Sequence, residues 1–217
     1  EVSERAVRAA LAAGLEPAGP VDDGPPGQPP STLLRAPRVE SPEWFDEQTR
    51  ESVLDLWCAV NDSGGAVGFL PGAPRHEVAS VLSTHEEGMA DGVATAVLLR
   101  GVGRRVVGLG FWVADRNPLM SHARTAYRVM THPAMRGRNL GRLLVAAMHR
   151  VAREQDVEVA VLDVRSGLGT TRFYEGAGYV EVGRVPGVIR VAPGDDRDSI
   201  LMARRLDGRP MVADGRA

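Results

Sequence analysis

Apolar positions along the chain follow two rhythms, one of about 3.6 residues and one of 2, and their succession predicts the elements. The clearest helical stripe runs through Leu140, Leu143, Leu144, Ala147, Met148, Val151 and Ala152, with polar residues between. A second is predicted over "SPEWFDEQTRESVLDLWCAV", with Ser41 as N-cap, Pro42 at the first helical position, acids in the first turn, and Val53, Leu56, Trp57 and Val60 as the stripe. After the Gly-rich break "GGAVGFLPG", a third starts near Pro74 and carries Val78, Val81, Leu82 and His85 on one face. "VSERAVRAALAA" predicts a short N-terminal helix ended by Gly14, and "GTTRFYEGAG" another closed by glycine.

Strand-like runs fill the intervals. "TLLRAPRV" reads as a first strand, while "VATAVLLR" and "RVVGLGFWV" flank the turn "GVGR" and predict an antiparallel pair. In "TAYRVMTHP", Tyr127, Val129 and Thr131 alternate against Arg128 and Met130 until Pro133 ends the run. "EVAVLDV" reads as a buried strand, and "YVEVGRV" and "SILMARRL" as two last ones. The order β-α-α-β-β-β-α-β-α-β-β predicts an α/β (α+β) fold: a mixed, mostly antiparallel sheet of six to seven strands flanked by helices. From Gly19 to Pro30, eight of twelve residues are Gly or Pro, which predicts a linker. The expected organisation is therefore an N-terminal helix and linker over 1–31, one domain over 32–207 and a polar tail over 208–217.

Composition narrows the classes. The 217 residues, 43% hydrophobic and 25% charged, suit one globular domain with extensions. A formal charge of -2 gives no basic field for wholesale binding of nucleic acid or an anionic membrane. With a single cysteine, Cys58, and no run near the ~18 apolar residues of a membrane span, a soluble, reducing, cytoplasmic setting is expected. Cys58 itself reads as a small packed hydrophobe. All 26 basic residues are arginine, which reflects coding bias more than chemistry. Glu1 is not an initiator methionine, so the numbering is expected to begin inside a trimmed or longer chain.

The chemistry gathers at "RGRNLGR", Arg136 to Arg142. It joins a strand ending in "THP" to the amphipathic helix, where the first backbone N–H groups lack intrahelical partners and the macrodipole favours an anion. Arg136, Arg138 and Arg142 add charge at the rim. Asn139 stands where a phosphate loop would carry glycine, and asparagine tolerates a positive φ better than other non-glycine residues. The loop alone also fits an arginine-rich helix start on a solvated surface.

The wider stretch "VMTHPAMRGRNLGRLLVAAM" resembles the acetyl-CoA motif of the GNAT N-acetyltransferase superfamily, Arg/Gln-x-x-Gly-x-Gly/Ala after a strand, with Asn139 as the departure. The resemblance continues through "VLDVRSGLGTTRFYEGAGYVEVGRVPG" and covers about Pro42 to Leu206. "GGAVGFLPG", "SHARTAY", "VLDVRSG" and "GRVPG" look most like the branch related to tabtoxin-resistance acetyltransferases. It implies acetyl-CoA as cosubstrate, with the acetyl carbonyl against the backbone N–H of Val129, and Met130 and Thr131 along the pantetheine arm. It further implies that the pyrophosphate is held by Arg136, Gly137, Arg138, Asn139, Leu140, Gly141 and Arg142, with Thr170 as a further contact. Tyr174 matches the family tyrosine that reaches the CoA sulfur, where a phenol, protonated at neutral pH, would donate to the leaving thiolate. The alternative is a buried tyrosine that packs its helix.

Asp163, an acid in an apolar strand, reads either as a general base or ammonium anchor, or as a structural carboxylate bonded to backbone or to Arg165. Phe69 and Leu70, in a Gly-flanked loop between helices, are candidates for the acceptor pocket, and Trp112 for either pocket or core. His132 reads as a turn residue more than a base, and His122 and His85 as surface or helix-face residues. No metal is expected, because the histidines and the cysteine show no ligand spacing. The function implied is direct acetyl transfer to a primary amine of a small molecule, with toxin or antibiotic detoxification as the role. Aminoglycosides, polyamines and protein amines are rival acceptors, and a non-catalytic acyl-CoA-binding module is the rival class. A homodimer is expected only at the level of the family.

Overall fold

A computed structural model describes residues 17–21, 31–34 and 37–211. The helix expected over 2–13 lies outside them. Pro17–Val21 (β1) pairs antiparallel with Ser31–Leu34 (β2) in a two-stranded sheet, so the first residues of the expected linker are strand. Proline is compatible with such a pair wherever its missing N–H is not needed by the ladder. The predicted first strand also divides, because Arg38–Glu40 (β3) joins the main sheet instead.

The main sheet has seven strands in the order β3-β4-β5-β6-β7-β9-β8, where β4 is Ala94–Arg100, β5 Val106–Ala114, β6 Ala123–Thr131, β7 Val159–Arg165, β8 Val180–Ala192 and β9 Asp195–Arg205. Only β6 and β7 pair in parallel. The helices are α1 (Glu47–Asp62), α2 (Arg75–Ala90), α3 (Leu140–Glu154) and α4 (Thr170–Glu175). This is the order of elements predicted from the pattern.

One helix start moves. α1 begins at Glu47, capped by the Asp46 carboxylate, which accepts from the Thr49 N–H at 2.7 Å. Ser41, the expected cap, donates its hydroxyl to Ala96 O at 2.8 Å and fastens the incoming chain to β4. Apolar side chains collect on both faces of the sheet. Ala96 and Leu98 of β4 join the cluster under α1 and α2, while Val97 and Leu99 join the cluster under α3. A strand buried on both faces needs no polar alternation, which is why β4 reads as one apolar run.

His149 on α3 was not singled out by the sequence pattern, yet it is buried and its Nε2 lies 2.9 Å from the Tyr179 hydroxyl. Cys58 is half-buried on α1 against the α1–α2 cluster, and burial pushes its thiol up. Among the described residues no helix is long and apolar enough to cross a membrane.

Candidate active site

The parallel seam between β6 and β7 is short. Register pairs run from Ala123↔Val159 to Ala126↔Leu162 and stop there. Beyond them the strands separate, so the β7-facing edge of residues 127–131 has no ladder partner. A bulge accompanies the separation: Phe111 pairs with Tyr127 and Leu109 with Met130, leaving Gly110 opposite both Arg128 and Val129. Arg128 takes φ +54°, a left-handed conformation uncommon for arginine.

A cavity of about 550 Å³ fills the fork. One wall is Val129, Met130 and Thr131 of β6, and the other is Leu162 to Arg165 of β7, with Tyr174 and Thr170 of α4 beside them. The Met130 side chain is buried in the α1–α2 cluster, so only its backbone can meet a bound molecule. Arg136 reaches the rim and donates to Ser63 Oγ at 3.1 Å.

The loop from Gly137 to Arg142 continues past the cavity into α3. Gly137 (φ +79°) and Asn139 (φ +58°) both have positive φ. Asn139 occupies the N-cap position with no side-chain cap bond, so its side chain leaves the first N–H groups of α3 unclaimed. A Cβ at Gly141 would lie 3.2 Å from the Phe173 ring, which explains the glycine by close packing of α3 on α4. Leu140 is in the core and can offer only backbone to a ligand. Arg142 is exposed and Arg138 half-buried.

Tyr174 is buried, and its ring meets Phe173 and Tyr179 edge-on at 5.0 and 5.6 Å. Burial raises its phenol above the ordinary value. Its hydroxyl has no hydrogen-bond partner among the described residues, although the side chain borders the cavity. Packing and a free donor thus coexist in one residue.

Asp163 is exposed, on the opposite face of β7 from Leu162 and Val164, which enter the α3 cluster. The expected partners for a structural carboxylate were backbone or Arg165. Its partner is instead the Ser199 hydroxyl, which donates to Oδ1, while Arg165 reaches Gly64 O at 3.4 Å. The cost expected of a buried acid does not arise, because this carboxylate faces a cleft.

That cleft is a second cavity of about 300 Å³, lined by Phe69, Leu70, Asp163, Arg165, Ile189 and Arg190 among others. Ala66, Asp163, Val164 and Arg165 border both cavities, so Asp163 stands on their common wall.

Trp112 is in neither lining. It is buried in the α3 cluster, and its indole N–H donates to Met148 O at 2.8 Å, which leaves the core half of its expectation. His132 is a turn residue whose Nδ1 accepts from Ala134 N at 3.2 Å. His85 stacks on Phe111 at 4.3 Å and 7°, with burial lowering its pKa to about 4. His122 is exposed.

Several lining residues had no signal in the sequence. Arg128 borders the first cavity, donates to Val67 O at 3.0 Å and lies 5.3 Å from the Trp57 ring centre. Ser63 to Val67 form that cavity's far wall, and Ser199 comes from a distant strand. The "GG" at Gly64–Gly65 was the one available hint, since it marked a break without saying what the break lined.

Comparison with known proteins gives a consistent placement. Ribosomal-protein-alanine N-acetyltransferase from Brucella melitensis is similar in fold, with 17% identity and TM-score 0.62 over 77% of this chain and 99% of that one. A protein assigned as a phosphinothricin N-acetyltransferase gives 15% identity and TM-score 0.64 over 78% and 99%. The Salmonella typhimurium protein yncA, solved with its cofactor acetyl-CoA, gives 17% identity and TM-score 0.62 over 82% and 99%. A search of curated proteins finds no match. The model of the acetyltransferase (GNAT) domain matches residues 76–187, more than half of the chain, from α2 through the forked strands into β8. The seven-stranded sheet with its β6–β7 fork is therefore the GNAT fold, and the chain belongs to the GNAT acetyltransferase family.

Proposed function

We propose that the protein transfers an acetyl group from acetyl-CoA directly to a primary amine of a small molecule, with the amine entering from the cleft beside Phe69 and Leu70. The position of Asp163 on the wall common to both cavities carries this reading, because it gives an amine and a thioester one meeting point.

The residues present suit the cosubstrate. The unpaired edge of β6 beyond Ala126 offers backbone groups to an amide-bearing arm, and the α3 start, with Gly137 and Asn139 at positive φ, offers N–H groups to a diphosphate. Arg136, Arg138 and Arg142 supply charge around that start, and Thr170 opens the short helix that carries Tyr174. Acetyl-CoA, when bound, supplies an activated carbonyl and a thiolate leaving group.

Asp163 accepts a proton from the ammonium, directly or through water, and freed nitrogen attacks the carbonyl carbon. Val129 N–H, in the fork, donates to the oxygen as its negative charge develops. As the new C–N bond forms and the C–S bond breaks, Tyr174 gives its proton to the sulfur. Burial keeps the phenol protonated in the resting site, so the proton is there to give, and the same burial makes the phenolate left by the transfer costly until a proton returns. Kinship with the tabtoxin-resistance-like branch, and a detoxifying role, are the finer reading and rest on the "GGAVGFLPG" and "GRVPG" stretches.

Thiol release from acetyl-CoA across a panel of amines tests the proposal. Tyr174→Phe should lower kcat on the order of 100-fold with acetyl-CoA binding retained, and full activity would remove Tyr174 as the acid. Asp163→Asn should slow transfer while stability changes by less than about 0.5 kcal/mol, as for an exposed side chain. Binding of acetyl-CoA without turnover of any amine would favour the non-catalytic module.

A further inference from the structure

The charges around the acceptor cleft restrict what can fill it. Among the described residues that line it, Asp163 is the only carboxylate, and Arg165 and Arg190 are the two guanidinium groups. The two arginines differ in their surroundings. Arg190 is held by Asp196 through two contacts of 2.7 and 2.8 Å at the exposed hairpin. Arg165 is half-buried, and its hydrogen bond is to a neutral carbonyl, Gly64 O at 3.4 Å. Among the described residues no carboxylate forms an ion pair with it.

Position also separates Arg165 from the arginine-rich loop at the α3 start. Leu162 and Val164 face the α3 cluster. Asp163 and Arg165 therefore project from the other face of β7, the one covered by the loop between α1 and α2. They are two residues apart, so their Cα atoms stand about 6.6 Å apart along the strand. A carboxylate and a guanidinium that has no ion pair among the described residues thus share one face of β7, in a lining that also holds the apolar Phe69 and Leu70.

We infer that the acceptor is an amine that also carries an anionic group, in the manner of a free amino acid: its ammonium meets Asp163 and its anion meets Arg165. This rests on the proposed transferase function and specifies its substrate class. A polycation would place its second ammonium beside Arg165 or Arg190 with no second acid to receive it. The volume agrees with a small molecule, since about 300 Å³ equals the space of roughly ten waters at ~30 Å³ each. Phe69, Leu70 and Ile189 accept its apolar part.

Steady-state acetylation of the free amino acids, each paired with its own carboxamide, together with spermidine, separates the outcomes. The wild type should favour acid over amide by ~10-fold or more in kcat/KM, the value of a charge-assisted bond. Arg165→Gln should reduce that ratio to near one, and Arg165→Lys should restore most of it. A preference for amides or spermidine, or an acid preference that survives Arg165→Gln, overturns the inference and leaves the transferase standing. No turnover of any panel member by protein that binds acetyl-CoA overturns the transferase reading itself, and the inference with it.

Discussion

Replacing Gly68 with alanine should cost about 3 kcal/mol, by the terms worked below, and should act on the acceptor side of the site. Gly68 has φ +104° in the loop that leads into Phe69 and Leu70. An ideal Cβ there would lie 1.9 Å from Arg128 Nη1 and 2.6 Å from its Cζ. The backbone conformation alone costs an L residue about 1–3 kcal/mol. The guanidinium must also move, which endangers its bond to Val67 O and its contact with the Trp57 ring. A charged hydrogen bond contributes about 1.5–3 kcal/mol and a cation–π contact about 0.5–1 kcal/mol. Both belong to one flexible side chain that can partly readjust, so the losses do not add in full. A total near 3 kcal/mol corresponds to a fall in Tm of about 6–12 °C for a domain of this size.

Thermal melts and steady-state kinetics read the two consequences together. Gly68→Ala should raise the KM for the amine, because the loop carrying Phe69 and Leu70 shifts, while the KM for acetyl-CoA changes little. In combination with Arg128→Met the penalty should fall short of the sum of the single losses by about 1–2 kcal/mol, since the crowded group is gone. A Gly68→Ala protein with wild-type Tm and wild-type amine KM would refute the claim that the Arg128 guanidinium sets the position of this loop.

Two further predictions follow from the conformations described. Asn139 needs positive φ but uses no side-chain cap bond, so Asn139→Gly should change the acetyl-CoA KM by less than about threefold, while Asn139→Val should cost about 1–2 kcal/mol in denaturant melts; a large loss in the glycine variant would reveal an amide contact with the cofactor. Burial holds His149 at about 4 against an ordinary 6.5; the unfolded chain therefore binds more protons between these values, and stability should fall as pH drops from 6.5 toward 4, by up to about 3 kcal/mol from this residue. His149→Gln should flatten that part of the pH–stability curve, and an unchanged slope would place the acid sensitivity elsewhere.

The sheet and its helices were legible because each main element carries its period openly. The α3 stripe from Leu140 to Ala152 and the apolar run of β4 have no competing reading, and the strand order then leaves few topologies. The start of α1 was misread for a local reason: Ser41 and Pro42 have the chemistry of a helix start, but the Ser41 hydroxyl is taken by Ala96 O, a partner far away in sequence. Tyr174, Asp163 and the Arg136–Arg142 loop are singled out by spacing and resemblance. Arg128, Ser199 and the His149–Tyr179 pair are not, because each acquires its role from a tertiary contact. Nothing in the letters "YRVM" announces a bulge with arginine at φ +54°, and Asp163 looked buried because its apolar neighbours on β7 face the other way.

The fork has a mechanical meaning as well. Backbone pairing joins the two leaves of the main sheet, β3 to β6 and β7 to β9, only along the seam from Ala123 to Ala126. α1 and α2 lie against strands of the first leaf and α4 against β7, while α3 packs mainly on β4 to β6 and shares its cluster with Leu162, Val164, Ile200 and Met202 of the second leaf. The sheet is thus a pair of jaws with a short pin, the larger cavity being the gap between the jaws and Asp163 standing on one of them. Hydrogen bonds of Arg165 to Gly64 O, of His149 to the Tyr179 hydroxyl and of Arg153 to Leu206 O also cross from one side to the other, so a rotation about that pin that widens the gap has to stretch them. The width of the gap is thus set partly at the pin, by Ala126 and Leu162, which also line the cavity, and partly by those bonds farther out.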